Sequence, residues 1–249
     1  MSNYEEVVSK LNRLIEQYPD LENSLFHADG DWEKVSLSFD YPKTFWLKWG
    51  DDWNLKVAKM AITVSKTKNL GWITEMFPNL VSLHLIGSAK INSLLGLEKL
   101  ANLKSLSLEK LSNWRNLSEL KNINSLRALR FEVNSKDLKI DLNELPESIS
   151  VLYFGPNKLE DLLYTENLDF NRFKSLSSLT ISASQLGDGS LIKLPSTLKH
   201  FSLYRNNSFK NLSMFSTLPD DCRIVIRSLH LSTMAMPKEF KNIKIFPHD

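Results

Sequence analysis

Apolar residues recur along the chain as apolar-x-x-apolar-x-apolar. The cleanest copies are Leu80-x-x-Leu83-x-Leu85, Leu103-x-x-Leu106-x-Leu108, Leu126-x-x-Leu129-x-Phe131 and Ile149-x-x-Leu152-x-Phe154, each 23 residues after the last. Stepping back by 23 reaches Val57-x-x-Met60-x-Ile62, and once more Lys34-x-x-Leu37-x-Phe39. Forwards the step loosens to 27 at Leu176-x-x-Leu179-x-Ile181 and to 22 at Leu198-x-x-Phe201-x-Leu203. Ile224-x-Ile226 and Ile243-x-Ile245 read as two degraded strands, with the register after residue 205 open to two alignments. Period-2 spacing within each copy predicts a strand with one buried face. Threes such as Leu94, Leu97, Leu100 and Trp114, Leu117, Leu120 predict a helical or 3₁₀ return leg. A unit of this size cannot bury its own apolar face, so neighbours must stack into one parallel sheet.

This pattern resembles the leucine-rich repeat family, whose units run to about 20–29 residues with an L-x-x-L-x-L core. The resemblance covers roughly residues 34–245, in irregular bacterial-type units of about 23 residues. It implies an α/β leucine-rich repeat solenoid, a horseshoe or arc with one parallel β-strand per repeat. The family's Asn at the ninth position is kept at Asn134, Asn157 and Asn206 and replaced at Ser88, Leu111 and Ser184. Residues 3–18 carry Val7, Leu11, Leu14 and Ile15 on one stripe before Pro19, which predicts an amphipathic helix. The expected organisation is an N-terminal helical cap at 1–33 and a repeat domain at 34–249, forming one structural unit. An aromatic segment follows, with Tyr41, Phe45, Trp46, Trp49 and Trp53, read as a plug over the end of the core or as an interaction patch. Glu160–Asn171 reads as an insertion with a protruding loop at Thr165–Asn167.

Composition narrows the classes. Lys+Arg 31 against Asp+Glu 29 leaves +2, which gives no electrostatic footprint for nucleic acid or acidic lipid. One cysteine excludes an internal disulfide framework, and no apolar run approaches the ~18 residues of a membrane span. The N-terminus lacks a basic n-region and an apolar h-region, so a cytoplasmic protein is expected. His27, Asp29 and Asp31 lie around Gly30 and read as a turn, not a metal site. Cys222 follows Asp220-Asp221, which would raise a thiol pKa. No nucleophile elbow, P-loop or H-E-x-x-H is present. The expectation is therefore no enzyme, no catalytic or metal residues and no cofactor.

Outward positions of the predicted strands offer a concave face. Its large polar or aromatic residues are His84, Glu109, Arg130, Glu132, Tyr153, His200, Tyr204 and Arg227. Members of the family commonly hold another protein on this face, so the resemblance implies a protein partner and a chain that is monomeric alone. By family analogy that partner is a toxin neutralised by a bacterial immunity protein. The rival reading is an adaptor or secreted effector recruiting a host or cellular protein.

Overall fold

A computed structural model describes residues 25–29, 34–38, 58–63, 70–86, 91–111, 113–114, 116–132, 141–155, 168–182, 192–204, 213–227 and 243–246. The thirteen strands among them are β1 (Leu25–Asp29), β2 (Lys34–Ser38), β3 (Lys59–Thr63), β4 (Ser82–Ile86), β5 (Ser105–Glu109), β6 (Ala128–Glu132), β7 (Val151–Phe154), β8 (Leu168–Asp169), β9 (Ser178–Ser182), β10 (Ile192–Lys193), β11 (His200–Tyr204), β12 (Arg223–Arg227) and β13 (Ile243–Phe246). Eleven form one sheet in the order β13-β12-β11-β9-β7-β6-β5-β4-β3-β1-β2. From β3 to β13 every pairing is parallel.

The registers put like positions side by side. Met60, Leu83, Leu106, Leu129, Leu152, Leu179, Phe201 and Ile224 align across the sheet and all are buried. Leu85, Leu108, Phe131, Ile181, Leu203 and Ile226 form the next buried column, while the Phe154 side chain lies outside the described residues. The lead-in residues Leu80, Leu103, Leu126, Ile149, Leu176 and Leu198 are wholly buried. Alternation within β4 and β5 is strict, buried and half-buried by turns. The C-terminal register resolves with Ile224 and Ile226 inward.

Return legs are short, as the threes require. They comprise α1 (Gly71–Met76) and 3₁₀ turns at Leu97–Lys99, Leu117–Leu120, Leu142–Glu144, Phe170–Arg172 and Ser213–Thr217. Asn116, Asp141 and Asp169 each accept a backbone hydrogen bond from the residue two further on, satisfying a donor that a turn's start leaves open. A seam of hydroxyls joins the units. Ser125 Oγ donates to Leu103 O at 2.8 Å, Ser148 Oγ to Leu126 O, and Thr197 Oγ1 to Leu176 O at 2.8 Å. Each of these residues stands immediately before the first apolar position of its unit, and each ties it to the unit before.

Three expectations need correction. Lys34–Ser38 is a strand but not a solenoid turn: it pairs antiparallel with β1, which pairs antiparallel with β3. Apolar alternation carries no strand direction, and Phe26 and Ala28 alternate in register with Leu37 and Val35 as a hairpin requires. The interval 1–33 thus contains a strand, and His27 and Asp29 lie in it; Asp31, the proposed helix at 3–18 and the aromatic segment lie outside the described residues. The presumed insertion ends earlier than expected. Leu168, Phe170 and Phe173 are buried parts of an ordinary return leg, and β8 pairs in parallel with β10 as a small second sheet, while Thr165–Asn167 lies outside the described residues.

Cys222 is buried just before β12, and burial, with Asp221 adding to it, pushes its thiol up to about 11. A thiolate-directed alkylating reagent at pH 8 is therefore expected to leave the folded protein unlabelled and to label it once in denaturant. Rapid labelling of the native protein, read by mass spectrometry, would contradict this packing.

Candidate functional site

The concave face is built by the outward positions of adjacent parallel strands. In-register pairing sets His84 beside Ser107, Ser107 beside Arg130, and Arg130 beside Tyr153. Two positions away, Glu109 lies beside Glu132. The first five residues of the concave list thus fall on four neighbouring strands, β4 to β7.

These side chains form one connected cluster. Arg130 is its hub: its Nη2 pairs with Glu132 Oε1, its Nε lies 3.6 Å from Glu109 Oε1, and its Cζ sits 4.4 Å from the centre of the Tyr153 ring. Cation–π stacking and the short ion pair together hold a long side chain in one arrangement. Glu109 and Glu132 are both mostly buried, at 22% and 17% side-chain exposure, whereas Arg130 is about half exposed.

His84 Nε2 lies 2.9 Å from Glu109 Oε1. That is an ion-pair distance, but the alignment is not that of a hydrogen bond, and Nε2 is sealed from solvent without a hydrogen-bond partner. Ser107 Oγ is also sealed and unpartnered. Ser107 stands between His84 and Arg130 in the register of the sheet. Sequence reading missed this residue, because a small outward serine looks merely solvated.

His200, Tyr204 and Arg227 do not join that cluster. They lie on β11 and β12, beyond β9, whose outward residues are Ser178 and Thr180. Arg227 Cζ is 5.4 Å from the centre of the Tyr204 ring, a second Arg–Tyr pair, and His200 is exposed. Gly155 and Ser182, which occupy outward positions of the alternating strand pattern, are both buried. A Cβ at Gly155 would stand 2.8 Å from Ser182 Cβ, so at this rim the two strands approach as only glycine permits.

Among the described residues no group of His, Cys, Asp and Glu is placed to hold a metal ion, and no helix is long and apolar enough to cross a membrane. Residues 66–184 match the family model of the LRR domain of the endo-beta-N-acetylglucosaminidase EndoS. The chain folds as a leucine-rich repeat solenoid, and the matched stretch lies within its repeats. The glycosidase activity in that description is EndoS's own, and the matched part is its repeat domain. Among solved structures, the leucine-rich repeat chain is similar to internalin C2 of Listeria monocytogenes, at 16% identity and a TM-score of 0.47 over 75% of this chain and 80% of that one. It is also similar to an internalin, InlF, of the same species, at 18% identity and a TM-score of 0.40 over 76% of this chain and 66% of that one. No curated protein matches it by sequence.

Proposed function

We propose that this leucine-rich repeat protein is a non-enzymatic binder that holds another protein on its concave face. The observation that carries the reading is the pre-arranged cluster of Glu109, Arg130, Glu132 and Tyr153. Arg and Tyr are the residue types that dominate interface energetics, and an Arg already locked on a Tyr ring loses little freedom when a partner docks. Arg130 and Tyr153 serve as the central contacts, Tyr204 and Arg227 as an outlying pair, with His84, Glu109, Glu132 and His200 fixing orientation. Solenoids offer extended concave surfaces for such use.

The finer reading is a cytoplasmic immunity protein that neutralises a cognate toxin by occupying it. The single, buried, unpaired thiol fits a reducing compartment. Glu109 and Glu132 suit a cationic partner such as a nuclease. The test is titration of the purified partner against Arg130→Ala/Tyr153→Ala and Trp46→Ala/Trp49→Ala. The first pair should weaken binding by about 30-fold or more. It should change folding stability by about 1 kcal/mol or less, since both side chains are surface-linked. Intact binding by the first and lost binding by the second, both folded, would move the site to the aromatic segment.

A further inference from the structure

We infer that the end of the concave face formed by β11 and β12 receives an acidic, extended segment of the partner protein, an inference that rests on the concave face being the docking surface. Charge along that face is divided. Its carboxylates, Glu109 and Glu132, lie on β5 and β6, are mostly buried, and sit against His84 and Arg130. Beyond them, β7, β9, β11 and β12 contain no acidic residue. The outward charges that reach solvent at this end are those of Arg223 and Arg227, with the exposed His200 beside them.

The register sets these groups in a frame. His200 pairs with Arg223, Ser202 with Val225, and Tyr204 with Arg227. Two basic ends thus flank a half-buried middle of Ser202 and Val225. At one end, His200 and Arg223 enter no ion pair and no side-chain hydrogen bond among the described residues. The carboxylates nearest to them along the chain, Asp220 and Asp221, are exposed and lie in the turn before β12. At the other end, Arg227 Cζ is 5.4 Å from the centre of the Tyr204 ring, and this stacking limits the freedom that the arginine loses on docking.

The spacing selects the occupant. Arg223 and Arg227 are four residues apart on one strand, about 13 Å at the rise of a β-strand. A second extended chain has the same rise, and its side chains at i and i+4 point the same way. A segment running along the strands with two carboxylates at that spacing would set one against His200 and Arg223, the other against Tyr204 and Arg227. The arginine fork takes a carboxylate through two parallel N–H donors, and the Tyr204 hydroxyl can donate as well. A basic segment would meet like charge at both ends. A nucleic-acid backbone also carries anions, but a chain of net charge +2 has no wide basic field to hold one. A partner that is cationic against Glu109 and Glu132 is therefore acidic against β11 and β12, which fixes the direction in which it docks.

The full chain is titrated with hexaglutamate amide and followed by two-dimensional NMR, with hexalysine amide and a short oligothymidylate as the other probes. Hexaglutamate is expected to shift His200, Arg223 and Tyr204 saturably, less so at high salt, and hexalysine to leave them unmoved. Arg223→Gln/Arg227→Gln, which removes both charges from exposed positions, should weaken hexaglutamate by about tenfold or more with little change in the denaturation midpoint. Undiminished hexaglutamate binding by that folded variant overturns the inference, as does the lack of any shift at millimolar probe. Oligothymidylate binding at this end as tightly as hexaglutamate gives the site to phosphate and overturns it too. The purified partner separates the two readings. Binding that survives Arg223→Gln/Arg227→Gln but is lost in Arg130→Ala/Tyr153→Ala overturns the acidic segment and leaves concave docking standing. Binding that survives both counts against both.

Discussion

Trp114→Ala is expected to lower the free energy of unfolding by about 3–5 kcal/mol, the range for emptying a core aromatic site. Among the described residues Trp114 is the largest wholly buried side chain, and it sits in the return leg before the 3₁₀ turn at Leu117–Leu120. Its role goes beyond volume. Its Nε1 donates to Glu119 Oε2 at 3.2 Å. The same carboxylate accepts from Leu94 N at 2.6 Å and from Ser93 Oγ at 2.9 Å, so one glutamate clamps two consecutive units. Losing the indole leaves a cavity and removes one of three donors holding that clamp. Trp114→Phe keeps most of the bulk and should recover most of the loss, short of about 1 kcal/mol for the missing hydrogen bond. Urea denaturation followed by circular dichroism measures both. A Trp114→Ala protein with an unchanged midpoint would mean that this leg is not part of the cooperative core.

Leu106→Ala is expected to cost about 2–5 kcal/mol. Leu106 is central in its column, with Leu83 on one side and Leu129 on the other, all buried. Ser107→Ala, one residue on, should cost nothing and gain a little, because the hydroxyl it removes is sealed without a partner. The contrast tests strand register directly. A one-residue slip would exchange the two faces and reverse the ranking.

Most of the sheet was legible because two periods reinforce each other. Spacing of two inside a strand chooses the buried face, and spacing of 23 between strands sets like positions against like, so Leu83, Leu106, Leu129 and Leu152 line up without knowledge of any contact. The antiparallel hairpin of β1 and β2 was not legible, since alternation at Phe26, Ala28, Val35 and Leu37 is the same whichever way the strand runs. The hydroxyl seam is written in the sequence at Ser125, Ser148 and Thr197, each just before the first apolar position of a unit, where Asn79, Asn102 and Ser175 keep the same position polar.

The site was legible in membership only. Outward positions on adjacent strands must be neighbours, so His84, Glu109, Arg130, Glu132 and Tyr153 follow from register alone. What register cannot supply is rotamer and alignment. That Arg130 pairs with Glu132 but lies farther from Glu109, and that the Ser107 hydroxyl is sealed, depend on side-chain torsions. Nor does register supply the close approach of the strands at the rim, where Gly155 and Ser182 are buried.

Hydroxyl-radical footprinting of the protein alone and with its purified partner tests the concave docking surface most directly. Tyrosine and tryptophan rings oxidise readily when exposed, so one mass-spectrometric experiment compares the two candidate surfaces. Docking on the sheet predicts that Tyr153 loses most of its reactivity in the complex, Tyr204 loses some, and Trp46 and Trp49 keep theirs. Protection of Trp46 and Trp49 with Tyr153 unchanged would contradict it.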